Sequence, residues 1–239
     1  MGRLAVSRRR PVLVAAVLVP IALLAAYFLF FTPSSPDRLG VSSTGGDRGA
    51  SSSAVPLSGE VDGTWKPSPE SVVGYRVRER LARLPASSDA VGRTSVTGSV
   101  TVKRQGEKIV VSDASFTADL TQLRSDESRR DNRMRTMSLE TDRFPSATFA
   151  SAAPIELPST ALSGSVTKIQ APGDLTIHGV TKPVTMPLEL KASGSQVEVV
   201  GSLTFAFADF GMSAPNVGGI VTVESNPTLE LKLVLVRAA

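Results

Sequence analysis

Few residues in this chain could do acid–base, nucleophilic or metal chemistry. Its 239 residues include no cysteine and one histidine, His178. That excludes disulfides, cysteine zinc sites, thiol nucleophiles and any mechanism needing two histidines. His178 lies in Leu175-Thr176-Ile177-His178-Gly179-Val180-Thr181-Lys182-Pro183-Val184, where the glycine and the Thr-Lys-Pro after it read as a tight turn between strands. A metal role would need carboxylates converging from elsewhere, so a turn histidine bonded to backbone is the simpler reading. No serine has the G-x-S-x-G context of a nucleophile elbow. Gly218-Gly219 lacks the helix and lysine of a phosphate loop. No catalytic residue, metal ligand or cofactor is expected, and an enzyme using His178 ranks last among the functional readings.

The charges point to topology. Lys and Arg total 26 against 22 acids, a net +4. Four of the bases, Arg3, Arg8, Arg9 and Arg10, fall in the first ten residues, where there is no acid. Without them the chain is balanced, which removes the electrostatic case for nucleic acid. Residues 12–31 are almost entirely apolar, and twenty helical residues span about 30 Å, a bilayer core. Arginines precede the run and none follows closely. The positive-inside bias thus predicts a cytoplasmic tail (1–11), a single transmembrane helix (12–31) and an extracytoplasmic remainder at the cell membrane. A cleaved signal would be shorter and end in an A-x-A-like site; here Leu24-Ala25-Ala26-Tyr27-Phe28 runs on into more hydrophobics. Residues 32–58, rich in Ser, Gly and Pro, read as a flexible linker with an end-to-end distance of roughly 26–31 Å.

From residue 59 to 239 the dominant period is two. Val73, Tyr75, Val77 and Leu81 share one face, with Arg76, Arg78 and Arg80 on the other. Val96, Val100 and Val102 follow the same rule, as do Phe116, Ala118 and Leu120. So do Val184 to Leu190, Val197 to Phe207, and Leu229 to Leu235, the last against Glu230 and Lys232. This predicts an all-β antiparallel domain of about eight strands with one buried face. Periodicity alone leaves sandwich and barrel open.

Ser125 to Met137 breaks the pattern: a cap-capable serine, early acids and late arginines predict one short inserted helix. Its mixed charges read as a solvated face. The aromatics Phe116, Phe149, Phe205, Phe207 and Phe210, with Met134, Met137 and Met212, either fill the interior or line an apolar pocket. An interior void below about 100 Å³ would favour the first reading, against roughly 300–1,000 Å³ for ordinary ligand pockets.

The order of segments resembles the YceI-like family of bacterial envelope proteins. The resemblance runs from Gly63-Thr64-Trp65-Lys66-Pro67 through Phe116-Thr117-Ala118-Asp119-Leu120 and Arg129-Arg130-Asp131-Asn132. It continues with Arg143-Phe144-Pro145-Ser146-Ala147-Thr148-Phe149, the His178 segment and Phe207-Ala208-Asp209-Phe210-Gly211-Met212. It implies a lipocalin-like antiparallel barrel with an elongated apolar tunnel holding an isoprenoid or other long apolar lipid. The helix would lie near the tunnel mouth, with Met134 and Met137 facing the ligand. The residues expected to line the cavity are Tyr75, Val77, Phe116, Met134, Met137, Leu139, Phe149, Leu175, Leu203, Phe205, Phe207 and Leu231. Arg130-Asp131 and His178 match family positions and read as structural pairings. Two departures fall where an entrance could be: a longer polar stretch, Arg83 to Arg93, and Leu139 where an aromatic is common. The expected partners are the lipid and, through residues 12–31, the membrane. Oligomeric state stays open, a dimer included. The alternative function is a structural or partner-binding β-domain with a packed interior.

Overall fold

The computed structural model describes residues 36–41, 54–81, 87–217 and 221–238. The transmembrane helix expected at 12–31 lies outside them. No helix among the described residues is long and apolar enough to cross a membrane.

Twelve strands form one sheet: β1 (Gly63–Pro67), β2 (Val72–Leu81), β3 (Ser87–Gln105), β4 (Lys108–Asp119), β5 (Ser146–Ser151), β6 (Ile155–Pro158), β7 (Thr167–Ile177), β8 (Val180–Ser193), β9 (Gln196–Thr204), β10 (Asn216–Val217), β11 (Val221–Val223) and β12 (Thr228–Arg237). Eight of them, β2, β3, β4, β5, β7, β8, β9 and β12, pair antiparallel in a ring. The ring closes where β12 pairs with β2, Thr228 opposite Arg76 and Lys232 opposite Val72. The fold is therefore an eight-stranded barrel, which decides between the two architectures that periodicity left open. β1 wedges between β3 and β12 at one end, while β6 extends β4 and β11 extends β2. Inward-facing apolar side chains group into a cluster around Leu120, Met134 and Phe210 at one end, and another around Trp65, Ile109 and Leu235 at the other.

Local structure departs from the sequence reading in four places. The inserted helix, α1 (Ser128–Arg133), is shorter than predicted. It is capped by Glu127, whose carboxylate accepts from Arg129 N. Ser125 is not the cap because Asp131 takes it: the Ser125 hydroxyl and amide both donate to Asp131 Oδ1, at 2.6 and 2.9 Å. A wider turn, Met134–Ser138, continues the helix with Leu139 N bonded to Met134 O. Most of the polar stretch Arg83 to Arg93 is strand, since β3 starts at Ser87 and pairs residue by residue with β2; cross-strand hydrogen bonding overrides composition there. Arg76, on the polar face opposite the apolar one, is itself only 5 % exposed. Finally, the predicted linker is seated on the barrel at two points. Asp37 O accepts from Arg76 Nη2 and Arg93 Nη2, and the Leu57 and Ser58 amides donate to Leu162 O and Gly194 O.

Candidate functional site

Alternation puts every second residue of each strand inside the barrel, and there the interior is hollow in three neighbouring places that share wall residues. A middle chamber of about 100 Å³ is lined by Val73, Phe116, Phe149, Leu175, Met186 and Leu231 among others. Toward α1 it shares Val73, Ala118, Ala147 and Leu229 with a mouth chamber of about 80 Å³, walled by Tyr75, Met134, Leu139, Phe205, Phe207 and Met212. Toward the other end it shares Phe116, Phe149, Ala171, Leu188, Val199 and Leu233 with a chamber of about 120 Å³. Trp65, Ile109, Leu157, Ile169 and Leu235 wall that far chamber. Each alone is well below the roughly 300 Å³ of ordinary ligand pockets, and only their combined volume comes to that lower edge.

Among the described residues no charged side chain lines any of the three chambers. Thr94, Thr148, Ser151 and the Tyr75 phenol are the hydroxyls along the wall. Burial pushes the Tyr75 phenol well above its ordinary range, with the nearby Arg130 charge opposing part of the rise. Such a wall offers a guest no acid, base or anion site; it offers removal of apolar surface from water. Room is made partly by Gly173, where a Cβ would come within 2.3 Å of the Phe149 ring. A larger depression, about 380 Å³, lies outside the barrel under Arg38–Gly40, beside Lys168, Glu189 and Glu230.

Of the residues expected at the cavity, Tyr75, Phe116, Met134, Leu139, Phe149, Leu175, Phe205, Phe207 and Leu231 line it. Val77 and Leu203 belong to the packed cluster at the mouth end. Met137 does not face the interior: it is 73 % exposed, because the widened turn after Arg133 rotates it away from Met134. Apart from Phe116 and Phe149, which it shares with the middle chamber, the wall of the far chamber was missed. Its residues, Val197, Leu188, Leu190 and Leu235 among them, alternate as clearly as the others, but aliphatic side chains carry no signal that separates cavity wall from packed core.

The polar residues that match the family pattern flank the end capped by α1. Arg130 does not pair with Asp131. It grips Glu79 on β2 with Nε and Nη2, both at 3.2 Å, and reaches Asp126 with Nη1, tying α1 to the rim. His178 and Gly179 form a two-residue hairpin turn between β7 and β8, both with positive φ (52° and 73°). The imidazole tilts against Phe144, ring centres 4.4 Å apart. Its Nε2 lies 3.4 Å from Glu140 Oε1, outside hydrogen-bond geometry, so this buried atom has no partner. The sequence reading set the turn too far along the chain: Thr181-Lys182-Pro183 lie in β8, paired with β7, and His178 packs on Phe144, a contact the sequence does not disclose. Among the described residues no cluster of three or more His, Asp or Glu is placed to hold a metal.

An eight-stranded antiparallel barrel with an apolar, uncharged interior defines a class of proteins that enclose hydrophobic guests or fill themselves. Residues 68–235 match the YceI-like domain, and the chain belongs to that family. It is 27% identical over 123 residues to a UPF0312 protein of Vibrio vulnificus (strain YJ016), covering 48% of this chain and 61% of the relative. A UPF0312 protein of Vibrio parahaemolyticus is 27% identical over 125 residues, 49% and 62% of the two chains. The chain thus spans about three fifths of the length of these curated relatives. Its fold is similar to that of a polyisoprenoid-binding domain from Saccharophagus degradans implicated in plant cell wall breakdown (TM-score 0.58, 16% identity, 74% of this chain and 99% of that one). It is also similar to that of Burkholderia cenocepacia BcnA (TM-score 0.51, 22% identity, 69% and 96%).

Proposed function

We propose that this protein is a membrane-anchored, extracytoplasmic binding protein that holds an isoprenoid or other long apolar lipid inside its barrel, without a catalytic step. The observation that carries the reading is the run of three adjoining chambers with no charged wall residue among the described residues. Each CH₂ group moved into such a space gains about 0.8 kcal/mol, so a long chain needs no ionic anchor. The Saccharophagus degradans domain of like fold is described as polyisoprenoid-binding, which favours the same ligand class here. The four N-terminal arginines and the apolar run at 12–31 support the anchor and its direction.

The test is solvent extraction of the purified full-length chain followed by mass spectrometry. Ala171 is 3 % exposed and lines both the middle and far chambers, so Ala171→Phe would plug their junction. We expect a long-chain apolar species from the parent and its loss from the variant, at a stability cost of about 1–3 kcal/mol. A second reading, a packed interior with no ligand, is favoured by the small volume of each chamber taken alone. A parent protein that yields no such species would establish it and overturn the first.

A further inference from the structure

The mouth end of the barrel carries an apolar tip beside a row of cations. Met137 is 73 % exposed, three residues after the buried Met134 that lines the mouth chamber. Arg129 and Arg133, four residues apart in α1, share one face, and Met137 follows in the widened turn that continues the helix. Arg124, Arg129 and Arg133 are all exposed. Among the described residues, the nearby acids are mostly committed elsewhere. Asp126 serves Arg130, Glu140 serves Arg143, and the Glu127 carboxylate accepts from the Arg129 amide; Asp142 is exposed. Arg129 and Arg133 have no ion-pair partner among the described residues.

Asp37 O is held by Arg76 and Arg93. The backbone of Arg93 exchanges two hydrogen bonds with Arg124, at 2.7 and 2.9 Å, so the strap at 36–41 is fixed to the barrel next to the segment that leads into α1. Phe31, the end of the apolar run, is six residues before Asp37. Six residues reach at most about 22 Å. The opposite end of the barrel, at the β3–β4 hairpin, is twelve residues along β3 from Arg93. That is about 40 Å of strand, or about 30 Å along the axis at a barrel's usual tilt. An anchor ending at Phe31 would thus hold Asp37 within about 22 Å of the bilayer, too short a reach for the barrel to stand on its far hairpin.

We propose that the Arg129–Arg133–Met137 face docks on the anionic lipid surface of the membrane in which the same chain is anchored. The arginines meet lipid phosphates and Met137 enters the headgroup–acyl boundary, as on interfacial helices. The cavity mouth then opens against lipid, so an apolar guest crosses between bilayer and barrel with little exposure to water. The inference rests on the anchored reading above.

The experiment uses the full-length chain in vesicles of phosphatidylcholine with about one third phosphatidylglycerol, a fraction of the acyl chains brominated. The native tryptophan, Trp65, is 4 % exposed in the far cluster and serves as background. Two variants each add an exposed indole: Met137→Trp at the mouth and Glu107→Trp at the far hairpin, where Glu107 is exposed. We expect brominated lipid to quench the added emission of Met137→Trp and not that of Glu107→Trp. The Met137→Trp quenching should fall severalfold when Arg129→Glu and Arg133→Glu are added, and in vesicles of phosphatidylcholine alone. Protein that floats with the vesicles but shows no Met137→Trp quenching, or equal quenching at both positions, overturns the docking and leaves the anchor standing. Protein that does not float overturns the anchor and the docking with it. Neither outcome bears on the extracted lipid, which is measured separately.

Discussion

Arg76 Nε donates to Glu230 Oε1 across 2.6 Å on the outside of the barrel wall, with both side chains about 95 % buried (5 and 4 % exposed). The two residues lie on β2 and β12, the strands whose pairing closes the ring. Arg76 also donates to Glu230 Oε2, Asp89 Oδ2 and Asp37 O, and Arg38 reaches Glu230 at 3.9 Å. The strap at 36–41 is what takes this pair out of water, and its backbone supplies one of the acceptors the guanidinium needs.

Removing one partner strands the other as a buried charge. Glu230→Ala or Arg76→Ala should therefore cost about 3–5 kcal/mol, read from urea unfolding. Replacing both with leucine should recover most of that loss, because the desolvation cost of the charges is removed along with their attraction. Equal instability of the single and double variants would show that the pair is favourable in itself.

This pair marks the boundary of what the sequence discloses. Alternation in β2 correctly put Val73, Tyr75 and Val77 inward, and it put Arg76 outward, where it is. Whether outward means solvated depends on the strap and on Glu230, 154 residues away, and no local pattern carries that. Ring closure rests on the same distant β2–β12 pairing, so strand periodicity left the architecture open until the family resemblance chose a barrel. At the mouth, helical spacing put Met134 and Met137 on one face. The widened turn between them, with Leu139 N bonded to Met134 O, turned Met137 out to solvent. Ser125 looked like a helix cap until Asp131, six residues on, took both of its donors. Inward-facing residues were thus legible from composition and period. Partners that depend on tertiary neighbours were not.

The His178–Gly179 turn gives a test of structural against chemical roles. Two successive positive φ values suit the right-handed twist of the strands it joins. Gly179→Ala would strain the backbone and bring a Cβ to 2.6 Å from Phe144 Cε1, a loss of about 1–2 kcal/mol or more by thermal unfolding. His178→Ala loses the ring contact with Phe144 and the 3.4 Å approach to Glu140 and should cost less, with the extracted lipid unchanged. Loss of the lipid at unchanged stability in His178→Ala would show that the imidazole acts on the ligand.

Acid should weaken the same corner of the barrel. Arg143 Nη1, 2.7 Å from Glu140 Oε2, holds the Glu140 carboxyl below its ordinary 4.5, His178 adding a smaller pull in the same direction. The folded state therefore binds fewer protons at this site than the unfolded chain near pH 4.5. The contribution is present above that pH and is lost as pH falls through the lower folded value. Arg143→Gln should move the Glu140 carboxyl resonance, followed by NMR titration, up toward the ordinary value. It should also flatten this part of the stability profile below about pH 4.5. An unchanged titration in Arg143→Gln would mean that His178, and not Arg143, sets the charge at the mouth.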